Sequence, residues 1–194
     1  MSKIYLCSDW HFNHDKEFIW KDRGFNSVDE MNNEIVKRHN SVVAEDDDVY
    51  VLGDLTMGSD IEANKILIES LNGKIHIITG NHDTPNRIEM YKSCKNVVAI
   101  CGYGTILKYK KYSFYLSHWP TNTSNGDADK PLRCRLLNIC GHLHTTDKYL
   151  EMKVGRNSYH VEMDSNNCYP ILLDKIIEDF EFMNPKENNP SNEG

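Results

Sequence analysis

The stretch at residues 75–83 reads IHIITGNHD, an apolar run that ends in a polar loop. Its first part is a run of apolar and β-branched residues, which is typical of a buried strand. The run ends at Gly80, and the polar residues Asn81, His82 and Asp83 follow at once. Because open α/β sheets bind ligands beyond the carboxyl ends of their strands, this stretch predicts a functional loop at a sheet edge.

The same design recurs at four other places along the chain. Strand-like runs cover residues 3–7, 49–52, 114–116 and 136–140. The polar residues that follow them are, in order, Asp9 and His11; Asp54; His118; and His142 and His144. We therefore expect five polar clusters to converge at one edge of the fold.

Helical patterns separate the first three runs, which indicates strand–helix–strand units and a largely parallel sheet. Ser27 and Glu30 have the spacing of a capping box and predict the start of one helix. Ser59 and Glu62 predict the start of the next helix in the same way, and Asn72 followed by glycine predicts its end.

The second half of the chain has a different pattern. Residues 97–116 are rich in β-forming side chains with alternating polarity, which predicts a second sheet with antiparallel strands. Residues 120–131 are polar and predict an exposed loop beside His118. A final helix is expected over residues 172–182, followed by a disordered tail over residues 184–194.

Composition limits the classes of protein. A chain of 194 residues with 39% apolar side chains suits one domain with a real core. The net charge is -7 and no basic stripe is present, so extended duplex nucleic acid is not an expected partner. No apolar run approaches the roughly 20 residues that a membrane span needs, and the first residues do not read as a signal peptide. We therefore predict a cytoplasmic protein without membrane attachment.

The polar clusters have the chemistry of metal ligands. Asp9 and His11, and likewise His142 and His144, lie two positions apart, which in extended backbone places both side chains on one face. The mixed oxygen and nitrogen donors suit manganese, iron or zinc. The six cysteines show no C-x-x-C pair, so neither a thiolate zinc site nor a disulfide scaffold is expected. The number of candidate ligands exceeds one tetrahedral site.

In this order, D-x-H, G-D, G-N-H-D, a lone histidine and G-H-x-H resemble the signature of the calcineurin-like metallophosphoesterase superfamily. The match runs from Asp9 to His144. The resemblance implies an α/β fold, a metallophosphoesterase-type β-sandwich of two mixed sheets flanked by helices, forming one domain over residues 1–183. It is closest in kind to the small bacterial and phage-type phosphoesterases.

The resemblance also implies a dinuclear site with two divalent ions, manganese foremost, with iron, zinc or nickel as alternatives. One ion is expected at Asp9, His11 and His144, and the other at Asn81, His118 and His142. Asp54 is expected to bridge them. The implied function is that of a phosphoester hydrolase, a phosphodiesterase or phosphatase, in which a metal-bridging hydroxide attacks phosphorus. His82 is expected to protonate the leaving oxygen, and Asp83 to orient the His82 ring.

Residues 53–58 differ from the G-D-x-V-D-R-G motif of the superfamily's protein serine/threonine phosphatases, which argues against phosphoprotein substrates. A small phosphorylated substrate, including nucleotide-derived phosphodiesters, is the expected partner. The alternatives are a nuclease on the same dinuclear core and a scaffold that has the fold without catalysis. The sequence leaves the physiological substrate and the oligomeric state open.

The remaining histidines are interpreted individually. His39 lies in a helical pattern and His76 in a strand, and we interpret both as structural. The roles of His14, His160 and Asp164 stay open. Two aromatic residues, Tyr103 and Trp119, are either core residues or flank the pocket.

Overall fold

The computed structural model describes residues 2–127 and 129–184. Asn184, the first residue of the predicted disordered tail, caps the carboxyl end of the last helix. The rest of the predicted tail, residues 185–194, lies outside the described residues.

Helices separate the strands in the first half of the described chain, and six strands without an intervening α-helix follow in its second half. The helices are α1 (Glu17–Trp20), α2 (Val28–Val42), α3 (Ile61–Glu69), α4 (Pro85–Lys92) and α5 (Leu173–Met183). The strands are β1 (Ile4–Cys7), β2 (Asp48–Leu52), β3 (Lys74–Ile78), β4 (Val97–Cys101), β5 (Gly104–Tyr109), β6 (Tyr112–Ser117), β7 (Leu136–Cys140), β8 (Ser158–His160) and β9 (Ile171–Leu172). Short 3₁₀ turns cover Leu132–Cys134, Met152–Val154 and Met163–Asn166.

The strands form two sheets. The first has the order β4-β3-β2-β1-β9, in which β1 to β4 are parallel and β9 is antiparallel to β1. The second has the order β5-β6-β7-β8, in which β5 and β6 are antiparallel and the other pairs are parallel. Both sheets are therefore mixed, which confirms the fold class that the resemblance implies.

The two clusters of buried side chains show how the sheets and helices are layered. Val49 and Val51 of β2 belong to a core cluster that includes residues of α2, α3 and α4. Leu52 at the end of β2 belongs to a second cluster, with Phe114 of β6 and Ile139 of β7. Successive side chains of a strand point to opposite faces of its sheet. The first sheet therefore packs against helices on one face and against the second sheet on the other face.

The expectation for residues 97–116 is wrong in two respects. Val97–Cys101 does not begin the second sheet, because β4 pairs in parallel with β3 at the edge of the first. Helix α4 connects β3 to β4, and a helical crossover returns the chain in the same direction. The second sheet begins at β5, and only its first pair is antiparallel.

Of the two predicted helix starts, the first is confirmed and the second is wrong by one residue. Ser27 caps α2, because its side chain accepts a hydrogen bond from the backbone N–H of Glu30. The start of α3 was placed one residue too early. Asp60, rather than Ser59, caps this helix by accepting from the Ala63 N–H at 3.0 Å. The capping-box spacing of Ser59 and Glu62 is misleading here, because the neighbouring aspartate is an equally good cap without that spacing.

His39 is a structural residue of α2, as interpreted from the sequence. Its ring is buried, its Nε2 lies 2.8 Å from the carbonyl oxygen of Asn72, and its Nδ1 has no hydrogen-bond partner among the described residues. Burial lowers the pKa of His39 to about 4, against a weaker opposing effect of the bond to Asn72. A buried neutral imidazole of this kind couples folding to pH.

We expect the free energy of unfolding to fall as the pH drops from about 6.5 to 4, because only the unfolded chain protonates His39 in that window. The shift corresponds to about 3 kcal/mol at most. Denaturant unfolding across this pH range, with wild type compared with His39→Gln, checks it. The variant should have the shallower pH dependence, and His76→Gln, in a partly exposed strand position, is the control. Parallel pH profiles for wild type and His39→Gln would contradict the assignment.

Among the described residues, no helix is long and apolar enough to cross a membrane. All six cysteines are free, and four of them are buried.

Candidate metal centre

All the predicted ligands lie in loops that leave the carboxyl ends of strands. The loop after β1 carries Asp9 and His11, the loop after β2 carries Asp54, and the loop after β3 carries Asn81. In the second sheet, β6 leads to His118 and β7 leads to His142 and His144. Both sheets therefore direct ligand-bearing loops to one region, as the sequence predicts.

The backbone at these residues is unusual. Positive φ angles between 50° and 79° occur at Asp9, His11, Asp54, His142 and His144. Non-glycine residues rarely adopt this left-handed region, and each such residue costs roughly 1–3 kcal/mol. Strain that accumulates at five predicted ligands is characteristic of a functional site.

Glycines beside the ligands make room for carboxylates. A Cβ atom at Gly141 would lie 2.4 Å from Asp9 Oδ2, and one at Gly80 would lie 2.3 Å from Asp54 Oδ1. No side chain fits at either position, because these distances are far below van der Waals contact. The glycines thus form part of a cradle around the two carboxylates.

The first group of donors consists of Asp9, His11 and His144, whose ligand atoms all lie within 4.8 Å of one another. Asp9 Oδ1 lies 3.7 Å from His11 Nε2 and 3.6 Å from His144 Nε2. These distances exceed hydrogen-bond length, yet two ligands of one ion with bonds of about 2.0–2.2 Å are separated by at most about 4.4 Å. The three atoms can therefore hold one cation.

The second group lies around His118. Its Nε2 lies 2.9 Å from Asn81 Oδ1, 3.1 Å from His142 Nδ1 and 3.5 Å from Asp54 Oδ2. Asp9 also comes within 4.8 Å of Asp54 and His118, so both carboxylates lie between the two groups. The sequence assignment placed Asp54 alone in that position.

The donor atoms at both groups fit a cation. His118 Nδ1 lies 2.8 Å from the carbonyl oxygen of Leu52, so it carries the proton of the neutral ring and leaves the Nε2 lone pair facing Asn81 Oδ1. In the first group, the buried atoms Asp9 Oδ1 and His11 Nε2 have no hydrogen-bond partner among the described residues. Facing acceptors and unpartnered buried ligand atoms are stabilised by a bound cation.

The electrostatics of the carboxylates differ. Burial raises the pKa of Asp9, but the imidazoles of His11, His118 and His144 outweigh that effect and lower it to about 2. Burial raises the pKa of Asp54, despite the opposing effect of His118. Burial also lowers the pKa of His11, which favours the neutral ring that a metal requires.

His82 lies beside the site without joining either group. Its backbone N–H donates to Asp54 Oδ1 at 2.9 Å, and its ring Nε2 lies 3.9 Å from Asp54 Oδ2. The side chain is 44% exposed, so the ring can reach a ligand from solvent. The guanidinium of Arg87 donates to the His82 carbonyl and to that of Met57 and holds the loop in place.

Asp83 contacts the backbone of the loops around the site. Its carboxylate accepts hydrogen bonds from the backbone N–H of Asp54 at 2.9 Å, the N–H of Gly80 at 2.7 Å and the hydroxyl of Tyr91 at 2.8 Å. Among the described residues, no contact joins Asp83 to the ring of His82. Asp83 braces the backbone of two ligand loops, so orientation of His82 by Asp83 stays a prediction without geometric support.

Two of the histidines left open by the sequence now have locations. His14 stacks on His11, with Nδ1 atoms 3.3 Å apart and ring centroids 5.3 Å apart. His160 is buried behind the site and pairs with Glu162, with Nδ1 2.9 Å from Oε1. Glu162 Oε1 also accepts the N–H of Leu143, between the last two ligands, so this pair supports the loop after β7.

Two charged side chains lie beside His144: Asp164, whose role the sequence leaves open, and Arg23, which no sequence pattern singles out. Arg23 is buried and forms two hydrogen bonds to Asp164, at 3.0 and 2.9 Å, and Asp164 Oδ2 lies 3.1 Å from His144 Nδ1. Arg23 and Asp164 are 141 positions apart in the chain, so no local motif connects them.

Aromatic side chains border the second group. The ring of Trp119 lies 5.0 Å from that of His118 and 6.0 Å from that of His142. Tyr103 packs against Trp119 at 6.0 Å and is 75% exposed. Of the two interpretations of this pair, the structure favours the one that places them beside the site, next to His118 and His142.

Comparisons with known proteins show the family of this chain. The family model of calcineurin-like phosphoesterases matches residues 2–192. The chain is 35% identical over 181 residues to uncharacterized protein MJ1445 of Methanocaldococcus jannaschii, covering 91% of this chain and 90% of that one. It is 26% identical over 188 residues to the gene 66 protein of Mycobacterium phage L5, covering 85% and 88% of the two chains.

A solved structure shares the fold. It is that of the protein of unknown function AQ665 from Aquifex aeolicus, with a TM-score of 0.73, 22% identity, and coverage of 92% of this chain and 99% of that one. At this identity, the likeness concerns the fold alone. With a family model that spans nearly the whole sequence and a relative of 35% identity, the chain belongs to the calcineurin-like phosphoesterase family.

Proposed function

We propose that this protein is a dinuclear, metal-dependent phosphoester hydrolase. One observation carries the proposal: Asp54 Oδ2 lies 3.8 Å from His11 Nε2 and 3.5 Å from His118 Nε2. A single carboxylate oxygen therefore faces a ligand of each donor group. A shared carboxylate between two oxygen and nitrogen donor sets is the arrangement that two-metal hydrolysis requires.

The donor sets would hold the ions at Asp9, His11 and His144 on one side and Asn81, His118 and His142 on the other, with Asp54 shared. Two divalent ions supply Lewis-acid chemistry, which offsets charge on the phosphoryl oxygens and makes water nucleophilic near neutral pH. Imidazole and carboxylate donors suit manganese, iron, zinc or nickel, and we propose manganese as the first ion to test.

The chain's own residues supply the remaining functions. The His82 ring is exposed beside Asp54, where it can hold a proton for the leaving oxygen of an ester. Arg87 fixes the loop of His82 through its carbonyl, so the ring is presented on a restrained backbone. The backbone contacts of Asp83 keep the loops of Asp54 and Gly80 in register.

We propose a small phosphodiester as the substrate class, including nucleotide-derived esters. The exposed face of Tyr103, next to Trp119 and the second donor group, provides a surface on which a base can stack. The net charge of -7 does not favour a long polyanion, so duplex nucleic acid is not proposed as a substrate.

Turnover of bis(p-nitrophenyl) phosphate by metal-free protein, before and after addition of manganese, tests the proposed activity. We expect turnover only with the metal. Bound metal without turnover, across several divalent ions and a panel of monoesters, cyclic nucleotides and dinucleotides, would contradict the proposal and favour a scaffold. Cleavage of labelled duplex DNA at internal positions would instead favour the nuclease.

Tyr103→Ala should raise the KM for a nucleoside diester by about 5–150-fold, because stacking of one base contributes about 1–3 kcal/mol. Tyr103→Phe keeps the ring and should behave as wild type. The measurement compares thymidine 5′-p-nitrophenyl phosphate with methyl p-nitrophenyl phosphate, which has the same leaving group without the nucleoside. An equal change in KM for both esters would contradict the stacking role.

A further inference from the structure

One buried guanidinium contacts the backbone of the loop that carries Asp9 and His11. The Arg23 side chain is 2% exposed. Its Nη2 donates to the carbonyl oxygen of Asp9 at 2.7 Å, and its Nη1 donates to that of Trp10 at 2.9 Å. Because Asp9 and His11 both have left-handed backbone, these two bonds hold a conformation that the chain does not favour by itself.

The same guanidinium reaches the third member of the first donor group through a carboxylate. Asp164 accepts from Arg23 Nε at 3.0 Å and from Nη2 at 2.9 Å, a two-point ion pair with fixed geometry. Asp164 Oδ2 also lies 3.1 Å from His144 Nδ1. Arg23 and Asp164 therefore connect the β1 loop to a ring that follows β7.

This contact determines which nitrogen of His144 is available. The ionised carboxylate of Asp164 can only accept hydrogen bonds, and Arg23 donates to both of its oxygens. In the neutral ring of His144, Nδ1 therefore carries the proton. The lone pair is then on Nε2, which lies 3.6 Å from Asp9 Oδ1. A carboxylate that holds the far nitrogen of a histidine ligand is a common means of orienting the ring.

In the second donor group, His118 is not oriented by Arg23 and Asp164. The ring of His118 is oriented by the backbone carbonyl of Leu52, at 2.8 Å from Nδ1. The two groups therefore share carboxylates and have separate supports for their histidines.

We infer that Arg23 and Asp164 are positioning residues that build one of the two ion sites, the one at Asp9, His11 and His144, and leave the other intact. The inference rests on the proposed function, since it assumes that both donor groups bind ions. A role in stability alone predicts a different outcome, because a weaker fold would affect both sites.

Calorimetric titration of metal-free protein with manganese tests the inference in Asp164→Asn. The amide lacks the charge of the carboxylate and cannot accept at both oxygen positions. We expect one of the two ions to bind about 10–100-fold more weakly and the other to bind as in wild type. Arg23→Lys, which cannot reproduce the two-point contact with Asp164, should weaken the same site more than the other. The other site is also affected, to the smaller extent, because Arg23 holds the carbonyl of Asp9, whose carboxylate lies between the groups.

Asp179→Asn is the matched control. Asp179 is a buried acid that accepts from the Tyr159 hydroxyl at 2.7 Å and pairs with Lys175 at 2.8 Å. Its contacts support α5 and not the donor groups. This variant should bind both ions as wild type does, even if it is less stable. Equal weakening of both sites in Asp164→Asn, or no weakening, would overturn the inference.

A second measurement does not depend on metal. The ¹⁵N chemical shifts of the His144 ring, recorded on metal-free protein well above neutral pH, report which nitrogen is protonated. We expect protonation at Nδ1 in wild type and a shift toward Nε2 in Asp164→Asn; an unchanged tautomer would overturn the inference. If wild type fails to bind two ions, the proposed function fails, and the ring measurement still decides whether Asp164 orients His144.

Discussion

Asp54→Asn is expected to reduce turnover by at least about 10³-fold, since the loss of several kcal/mol of transition-state stabilisation corresponds to that factor. The change replaces one carboxylate oxygen with an amide NH2 group and removes the negative charge. The anionic bridge between the donor groups is therefore lost. With the amide nitrogen at the Oδ2 position, the remaining oxygen at Oδ1 still accepts the His82 N–H. The effect therefore reports mainly on the bridge rather than on the loop. The measurement is kcat/KM on a p-nitrophenyl diester at saturating manganese.

Asp48→Asn provides the control for this prediction. Asp48 begins the strand that leads to Asp54, and its carboxylate pairs with His76 at 2.8 Å, at the opposite end of the strand from the site. This variant should keep wild-type turnover. Near-wild-type activity of Asp54→Asn, in a folded protein, would remove Asp54 from the bridging position.

His82→Ala is expected to keep both metal ions and to lose about 10²–10⁴-fold in kcat on an alkyl phosphodiester, because general acid catalysis contributes that range. The loss should be far smaller on a p-nitrophenyl ester, whose leaving group scarcely needs a proton. The ring is half exposed and lies 3.9 Å from the shared carboxylate oxygen, which places it beside the reacting centre without making it a ligand. Steady-state kinetics on both esters, with metal content measured in parallel, give the comparison.

A matched variant for His82→Ala is His76→Ala. His76 lies in β3, before the same loop, and stacks on Tyr50 with ring centroids 4.5 Å apart. It should leave the ratio of rates on the two esters unchanged. Equal losses on both esters in His82→Ala, at full metal occupancy, would show that His82 does not protonate the leaving oxygen.

The ligand loops could be predicted from the sequence because metal binding restricts residue types within a few positions of a strand end. Asp9 and His11, or His142 and His144, carry that restriction locally. The extended backbone expected from the two-position spacing is wrong, because all four residues have positive φ angles and the loops turn sharply there. The convergence of the loops followed from strand direction alone, since the ends of parallel strands meet at one edge.

Other features depended on contacts that local patterns do not encode. The apolar run of β4 suits an edge strand of the first sheet as well as a strand of the second, and only pairing with β3 decides between them. Arg23 and Asp164 carry ordinary charges at distant positions and acquire a role only where the folded chain joins them to His144. Asp83 was expected to act on its neighbour His82, although its carboxylate turns toward backbone N–H groups on the other side.

The number of ions bound per chain distinguishes a dinuclear centre from a mononuclear one. Elemental analysis of metal-replete protein, together with manganese titration of the metal-free form, should give two ions per chain, because two donor groups share Asp54. Asp54→Ala should lower that number or weaken both sites. A reproducible stoichiometry of one under metal-replete conditions, unchanged by Asp54→Ala, would contradict the dinuclear account.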